Sequence, residues 1–459
     1  MACKVALGDL CSRICSGGTP KSRVKAYYRG GDIPWLNTSE INFNRIRRTS
    51  NFITEEGFNN SSAKWVKSNA VIVAMYGATA GKVALAKIPL TTNQACCNLE
   101  INSDMADYQY VYYWLKEQGG RLSNLANGGA QQNLSAKTIQ NLQVDLPSLE
   151  IQKKVAVILS SIDDKIELNN QLNDYLEELL ISFQKKISEV ETLTSVRADE
   201  VFNIHIGKTP PRKESEWFSL NSNNNVVWMS IKDMGRGDVY LMDSSEYLTQ
   251  KAVAKHNIKL CKPGSVLLSF KLTVGRVGIV LKEMATNEAI ACFSSDEPRK
   301  LAYLYPLLKS YDYASLGSTS SIATAVNSKM IKAMPLRMPS TSALDQFYEQ
   351  TKPLYEMLQN KVRENASLIA FRDALLPKLM SGEIDVSKID LMQPANNHLL
   401  AYMHNVPIPY RKEQRWRLPS TMCWHRCRAY STHRNSSIWP KYSESRYCRH
   451  SMYQRHETS

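Results

Sequence analysis

Apolar residues along this chain follow two different rhythms, and the two alternate twice. Over the first ~150 residues, short β-branched or aromatic runs such as Asn69-Ala-Val-Ile-Val-Ala-Met-Tyr are bounded by Gly, Asn and Pro, which predicts strands and tight turns. One helix is expected near Tyr108 to Leu115, so this stretch is mixed α/β. After Pro147 the glycines vanish, and Ile151, Val155, Ile158, Ile162, Asn169, Leu172, Leu176, Leu179 and Phe183 recur mostly at helical steps. The strand-like pattern then returns, as in Gly264-Ser-Val-Leu-Leu-Ser-Phe. After Pro339 it yields to a second helical stripe: Leu344, Phe347, Thr351, Leu354, Leu358, Asn365, Leu368, Leu375 and Leu379. Glycine-free stripes of roughly 40 residues predict long coiled-coil helices rather than ordinary domain helices. Pro353 is expected to kink the second helix in its first turns.

The alternation reflects an internal duplication. Ile33-Pro-Trp-Leu-Asn-Thr-Ser-Glu-Ile-Asn recurs as Val226-Val-Trp-Met-Ser-Ile-Lys-Asp-Met-Gly, which pairs Trp35 with Trp228. Tyr76-Gly-Ala-Thr-Ala-Gly-Lys-Val recurs as Phe270-Lys-Leu-Thr-Val-Gly-Arg-Val, and Thr92-Asn-Gln-Ala as Thr286-Asn-Glu-Ala. Gly18-Thr-Pro likewise corresponds to Lys208-Thr-Pro, and Lys137-Thr-Ile to Lys329-Met-Ile. A repeat of roughly 190 residues is too long for a solenoid and fits a duplicated domain. The expected fold class is therefore α+β: two duplicated mixed α/β domains, 1–148 and 191–340, separated by helices at 149–190 and 341–391. The simplest burial for the two stripes is an antiparallel coiled coil with a module at each end and a pseudo-twofold axis between them; the alternative is that each helix folds back onto its own module.

Composition narrows the class. At 43% apolar and 22% charged, the chain of 459 residues is neither wholly disordered nor collagen-like. No apolar stretch reaches the ~20 residues that span a bilayer, and Met1-Ala-Cys-Lys is followed by no apolar core, so no secretory signal is expected. Ten cysteines without a framework then read as reduced thiols in a cytoplasm. The net charge of +14 is uneven: residues 392–459 carry 11 Lys/Arg against 3 Asp/Glu and six of the eight histidines. That tail loses periodicity. It reads as a basic arm binding nucleic acid loosely or, the reading we favour, as a junction or out-of-frame translation; Cys423, His425, Cys427, His433 and Cys448 lack the paired spacing of zinc sites. The mildly basic body permits a polyanionic partner.

Catalytic constellations are missing from the body. His205 and His256 stand apart from any nucleophile or metal-ligand pattern, and read as satisfied surface or core histidines. Gly77-Ala-Thr-Ala-Gly-Lys has too few residues between its glycines, and no Ser or Thr after the lysine, for a nucleotide-binding loop. Asp163-Asp164 reads as a solvated helix face. The residues suited to DNA are loop residues. Gly18, Thr19, Lys21 and Arg23, with Lys208, Thr209, Arg212 and Lys213 in the second copy, combine a stiff turn with cations for phosphate. The turns holding Thr79 and Lys82, and Thr273 and Arg276, are either hairpin turns or a second backbone clamp. Gln131 and Gln132 are candidate readers of adenine, and Arg45 and Arg47 lie in a similar polar stretch; solvated loop is the plainer reading of each. No metal site is expected.

With these motifs assembled, the chain resembles the specificity subunit of type I restriction-modification enzymes. The resemblance rests on Gly18-Thr-Pro, Gly30-Gly-Asp-Ile-Pro-Trp, Thr79-Ala-Gly-Lys, Asn93-Gln, Asn133-Leu-Ser, Leu146-Pro-Ser-Leu-Glu-Ile-Gln and Leu375-Leu-Pro-Lys-Leu-Met-Ser-Gly-Glu-Ile. It covers residues 1–391 and leaves 392–459 outside. It implies that 1–148 and 191–340 are target recognition domains reading a bipartite double-stranded DNA target. The helices would hold them apart and bind two methyltransferase (M) subunits, with restriction (R) subunits joining them. Catalysis, S-adenosylmethionine, ATP and Mg²⁺ would belong to those partners and no cofactor to this chain. A self-sufficient methyltransferase or nuclease, and a stand-alone DNA-binding or coiled-coil scaffold protein, are the rival readings.

Overall fold

The computed structural model describes residues 3–127, 134–235, 237–316 and 326–389. Gln131, Gln132, the Gly317 loop and the 392–459 tail lie outside the described residues. Four helices organise the chain: α1 (Tyr108–Glu117), α2 (Leu149–Val190), α3 (Pro298–Lys309) and α4 (Thr341–Met380). Both long helices start where a Pro-Ser pair predicts. The Ser148 side chain accepts from the Ile151 N–H and that of Ser340 from the Ala343 N–H, capping donors that have no partner within the helix. At 1.5 Å per residue each helix is about 60 Å long. Helix α4 runs unbroken through Pro353 and Pro377.

The duplication is visible strand by strand. In the first module a five-stranded sheet runs in the order Cys11–Ser16, Cys96–Ile101, Val71–Ala74, Val83–Ala86, Asn44–Ile46. The second module repeats it as Asn203–Ile206, Ile290–Ser294, Val266–Ser269, Val277–Val280, Tyr240–Leu241. In both, the last pairing is parallel and the others antiparallel. A four-stranded sheet accompanies each, with Ile33–Leu36 parallel to Leu90–Thr92 and Asn225–Met229 parallel to Met284–Thr286. The central strands are buried throughout, as their unbroken apolar runs require. Each module closes on itself: Cys3–Ala6 pairs with Gln143–Leu146, and Thr194–Arg197 with Pro335–Met338.

The long helices are antiparallel, and each also packs on both modules. Val155 and Leu159 of α2 join Phe371, Leu375 and Leu379 of α4 in the first module's core with Val73, Leu85 and Tyr110. Leu176 and Leu180 of α2 join Phe347, Tyr355 and Leu358 of α4 in the second, with Leu268, Phe293 and Tyr303. Pairing with the other helix and packing on the helix's own module thus occur together.

At mid-length the apolar seam is interrupted by Asn169 and Asn365, positions related by the duplication. Asn169 Nδ2 donates to Asn365 Oδ1 at 2.8 Å, and Asn365 Nδ2 to Asn170 Oδ1 at 2.7 Å. A register slip would set these amides against apolar residues at about 1–3 kcal/mol for each unpaired group, so they fix how far apart the modules sit.

Nearer the first module, Asp163 is buried. Its carboxylate accepts from Tyr113 Oη of α1 at 2.6 Å and from Arg372 of α4 at 2.7 Å, and lies 3.9 Å from the Arg45 guanidinium. The solvated-face reading of Asp163 is therefore wrong: it is the acid on which the first module and both helices converge. Desolvation opposes charge on Arg45, but the surrounding Tyr113, Asp163 and Asp164 outweigh it and hold the guanidinium firmly protonated.

Candidate nucleic-acid interface

Three of the repeated motifs, far apart in sequence, meet in each module. In the first, the Gly18 N–H donates to the Thr92 carbonyl at 2.9 Å, and Trp35 Nε1 donates to the Gly18 carbonyl at 3.0 Å. The second repeats both bonds: Lys208 N–H to the Thr286 carbonyl at 2.8 Å, and Trp228 Nε1 to the Lys208 carbonyl at 3.4 Å. On the exposed side, the Thr19 hydroxyl donates to Gln94 and the Thr209 hydroxyl to Glu288. The hairpin turn following Val71–Ala74 or Val266–Ser269 starts alongside, its Met75 N–H bonded to the Ala95 carbonyl and its Phe270 N–H to that of Ala289. A Thr-Pro loop, an Asn-Gln or Asn-Glu turn and a hairpin tip therefore form one surface, built twice.

Gly18 has a packing role rather than the phosphate-facing one that the sequence suggests. It is buried, its N–H and carbonyl are both taken, and an added Cβ would lie 2.3 Å from the Ala63 nitrogen. Thr19, Lys21 and Arg23 are exposed, and neither cation has an ion-pair partner among the described residues. Lys213 is the equivalent free cation in the second module. Arg212 is partly engaged, paired with Glu246 at 2.9 Å and lying over the Phe218 and Trp228 rings at 4.2 and 4.5 Å. Lys208 Nζ donates to the His256 carbonyl at 2.7 Å.

Four other expected contacts are used internally. Arg45, with a side chain only 3% exposed, binds Asp164 and the Ser160 carbonyl of α2; Arg47 binds Glu167 of the same helix at 2.6 Å. Both fasten the first module to α2, Arg45 within the packing and Arg47 with its side chain still half-exposed. Lys82 Nζ donates to Asn42 at 2.9 Å, and the Arg276 guanidinium to the Ile231 carbonyl. Thr79 is half-buried, its carbonyl accepting from the Lys82 N–H at 2.9 Å; Thr273 is exposed, its carbonyl accepting from Ser269 Oγ at 2.6 Å. Both segments are hairpin turns, between Val71–Ala74 and Val83–Ala86 and between Val266–Ser269 and Val277–Val280. What the sequence missed is Gln94 and Glu288, the exposed ends of a repeated turn, and Leu272, fully exposed at a φ of 59° on the second hairpin. Their recurrence in the motif alignment was the available signal for the first two.

The free cations separate affinity from structure. Lys21→Ala with Arg23→Ala should weaken binding to any duplex and reduce the slope of log K against log salt by about 2, leaving sequence preference unchanged. Filter binding or anisotropy across salt concentrations reads this; an unchanged slope would remove the pair from the interface.

A protein built from two copies of one α/β module, each presenting the same loop set and joined by an antiparallel helix pair, has the form of a two-site reader. The chain belongs to the type I restriction modification DNA specificity domain family, whose model matches residues 3–178 and again 191–363. It is 27% identical over 412 residues to the type I restriction enzyme MjaIX specificity subunit of Methanocaldococcus jannaschii, covering 82% of this chain and 92% of that protein. It is 25% identical over 195 residues to the EcoR124I/EcoR124II specificity subunit of Escherichia coli, covering 39% and 48% of the two chains. The crystal structure of a type I restriction-modification S subunit from M. genitalium aligns with 82% of this chain and 95% of that one, at 18% identity and a TM-score of 0.44. Among the described residues, no helix is long and apolar enough to cross a membrane.

Proposed function

We propose that this chain is the sequence-specific DNA-binding specificity subunit of a type I restriction-modification complex, reading a bipartite target and directing partner methyltransferase and nuclease subunits to it. The observation that carries this reading is the doubled loop set: the same Trp–Thr-Pro–Asn turn assembly occurs once in each module, and the family match falls on both. The antiparallel helices relate the modules by a pseudo-twofold axis, so the two half-sites run in opposite orientations. Gln94 in one module stands where Glu288 stands in the other, so the two modules present different side chains to their half-sites. A glutamine pairs bidentately with adenine, whereas a glutamate accepts from the cytosine amino group.

The chain itself is non-catalytic. S-adenosylmethionine, ATP and Mg²⁺ act on two M subunits and on R subunits, and the helices supply docking surface for the former. Leu168, Tyr175 and Leu179 of α2 are 58, 65 and 47% exposed, an apolar strip suited to a covering partner. Purified alone, the chain is expected to bind its target and to transfer no methyl group and cut no strand; adding the methyltransferase subunits should restore methylation. Robust methylation of DNA by the pure chain would overturn the assignment.

A further inference from the structure

The interior of the second module holds a side-chain cluster that the first module lacks. His205 lies directly opposite Cys292 in the antiparallel pairing of Asn203–Ile206 with Ile290–Ser294, so both side chains leave the sheet on one face. Cys261, bridged to Met284 beside the neighbouring sheet, approaches them from the other side. One ligand atom from each of the three residues lies within 4.8 Å of the other two; both cysteines are fully buried and His205 is half-buried. The surroundings are apolar, Met229, Leu267, Met284, Ala289 and Ile290, except for the buried hydroxyls of Ser265 beside Cys292 and Thr286 beside Cys261.

Two features distinguish this cluster from ordinary buried thiols. His205 Nε2 and Cys261 Sγ are 3.6 Å apart. Ligands at Zn–S of about 2.3 Å and Zn–N of about 2.0–2.1 Å around a tetrahedral ion would stand about 3.5 Å apart. The Thr286 hydroxyl, in a fully buried residue, has no hydrogen-bond partner by geometry and lies against the Cys261 thiol. In the first module Cys15, Asn98 and Thr92 occupy the matching positions of His205, Cys292 and Thr286. There Asn98 Nδ2 donates to Thr92 Oγ1 at 2.9 Å. Replacing that asparagine by Cys292 leaves the threonine unpartnered and puts a soft ligand in its place.

We propose that His205, Cys261 and Cys292 form a structural site for a thiophilic divalent cation, zinc in the first instance, with the Thr286 hydroxyl closing the fourth position. Each thiol releases its proton to solvent as its sulfur binds the ion, and two thiolates with a neutral imidazole cancel the dipositive charge. No uncompensated charge is then left in the apolar interior. The ion would staple the five-stranded sheet of the second module to the segment flanking its four-stranded sheet. Only that module would depend on metal.

The test uses the full chain, stripped with a chelator and then titrated with zinc or cobalt(II). Elemental analysis after desalting should find one more equivalent of zinc on the unsubstituted chain than on a Cys261→Ser, Cys292→Ser double variant. Cysteines and histidines of the tail are common to both chains and cancel in the difference. Cobalt should give a thiolate-to-metal charge-transfer band that the double variant lacks, and zinc should raise Tm by several degrees. Should the double variant fail to fold, His205→Gln keeps both thiols and should weaken zinc binding at least tenfold, whereas Cys15→Ser in the first module should change nothing. Equal zinc content in the unsubstituted chain and the double variant would overturn the proposal. So would unchanged zinc affinity in His205→Gln, or a Cys261–Cys292 disulfide in place of metal in protein purified under reducing conditions.

Discussion

Replacing residues 191–340 by the corresponding module of another specificity subunit should change one half of the methylated sequence completely and leave the other half untouched. The fold allows such an exchange because each module begins and ends on a paired strand, Thr194–Arg197 against Pro335–Met338 in the second. The cut points therefore lie close together. The repeated loop set proposed to face DNA is also self-contained, since Thr209 and Glu288 both belong to the exchanged segment. The core is less self-contained, since Leu176 and Leu180 of α2 and Phe347 and Leu358 of α4 complete it. An incoming module must therefore match those helix positions, and a chimera that fails to assemble should be repaired there. If both halves of the target changed, the modules would not be reading independently.

Asp163→Ala should be the most destabilising single substitution in the helical seam. Removing one member of a buried ion pair typically costs about 3–5 kcal/mol, because its partners keep their charge and lose their compensation. Here Arg45 would be left to Asp164 and Glu167 and Arg372 to Asp373, all acids more exposed than Asp163, and Tyr113 Oη would lose its acceptor. A fall in Tm of roughly 10 °C is expected for the unit that unfolds. Glu167→Ala removes the acid paired with half-exposed Arg47 and should cost less, about 1–2 kcal/mol. Differential scanning calorimetry of both variants gives the order directly; equal losses would mean that Asp163 is not the hub. Since Asp163 holds the first module on the helices, its loss should also loosen the spacing between half-sites.

The large features were legible because each is written as a period. Helical stripes, glycine-free for about 40 residues, and a repeat of Trp, Thr-Pro and Asn-Gln landmarks specify helices and duplication without reference to any contact. The roles of individual charges were not legible. Arg45 and Arg47 read as loop cations, but whether a guanidinium meets phosphate or an acid of its own chain depends on a residue about 120 positions away. Asp163 was misread for the same reason: an acid flanked by Asp164 and Lys165 reads as solvated until tertiary packing buries it. Gly18 reads as a phosphate-facing turn residue yet packs tightly, because a glycine needed for close backbone packing and one needed for ligand approach are the same letter. His205 was read alone, since Cys261 and Cys292 approach it only through sheet pairing.

The central claim is that this chain confers sequence on a modification system that has none without it. Methylome sequencing of a host with and without the chain, in the presence of the methyltransferase subunits, tests it most directly. The account predicts one bipartite motif, two different half-sites in opposite orientations around a fixed gap, methylated only when the chain is present. An identical methylation pattern in its absence, or a single continuous motif, would contradict it.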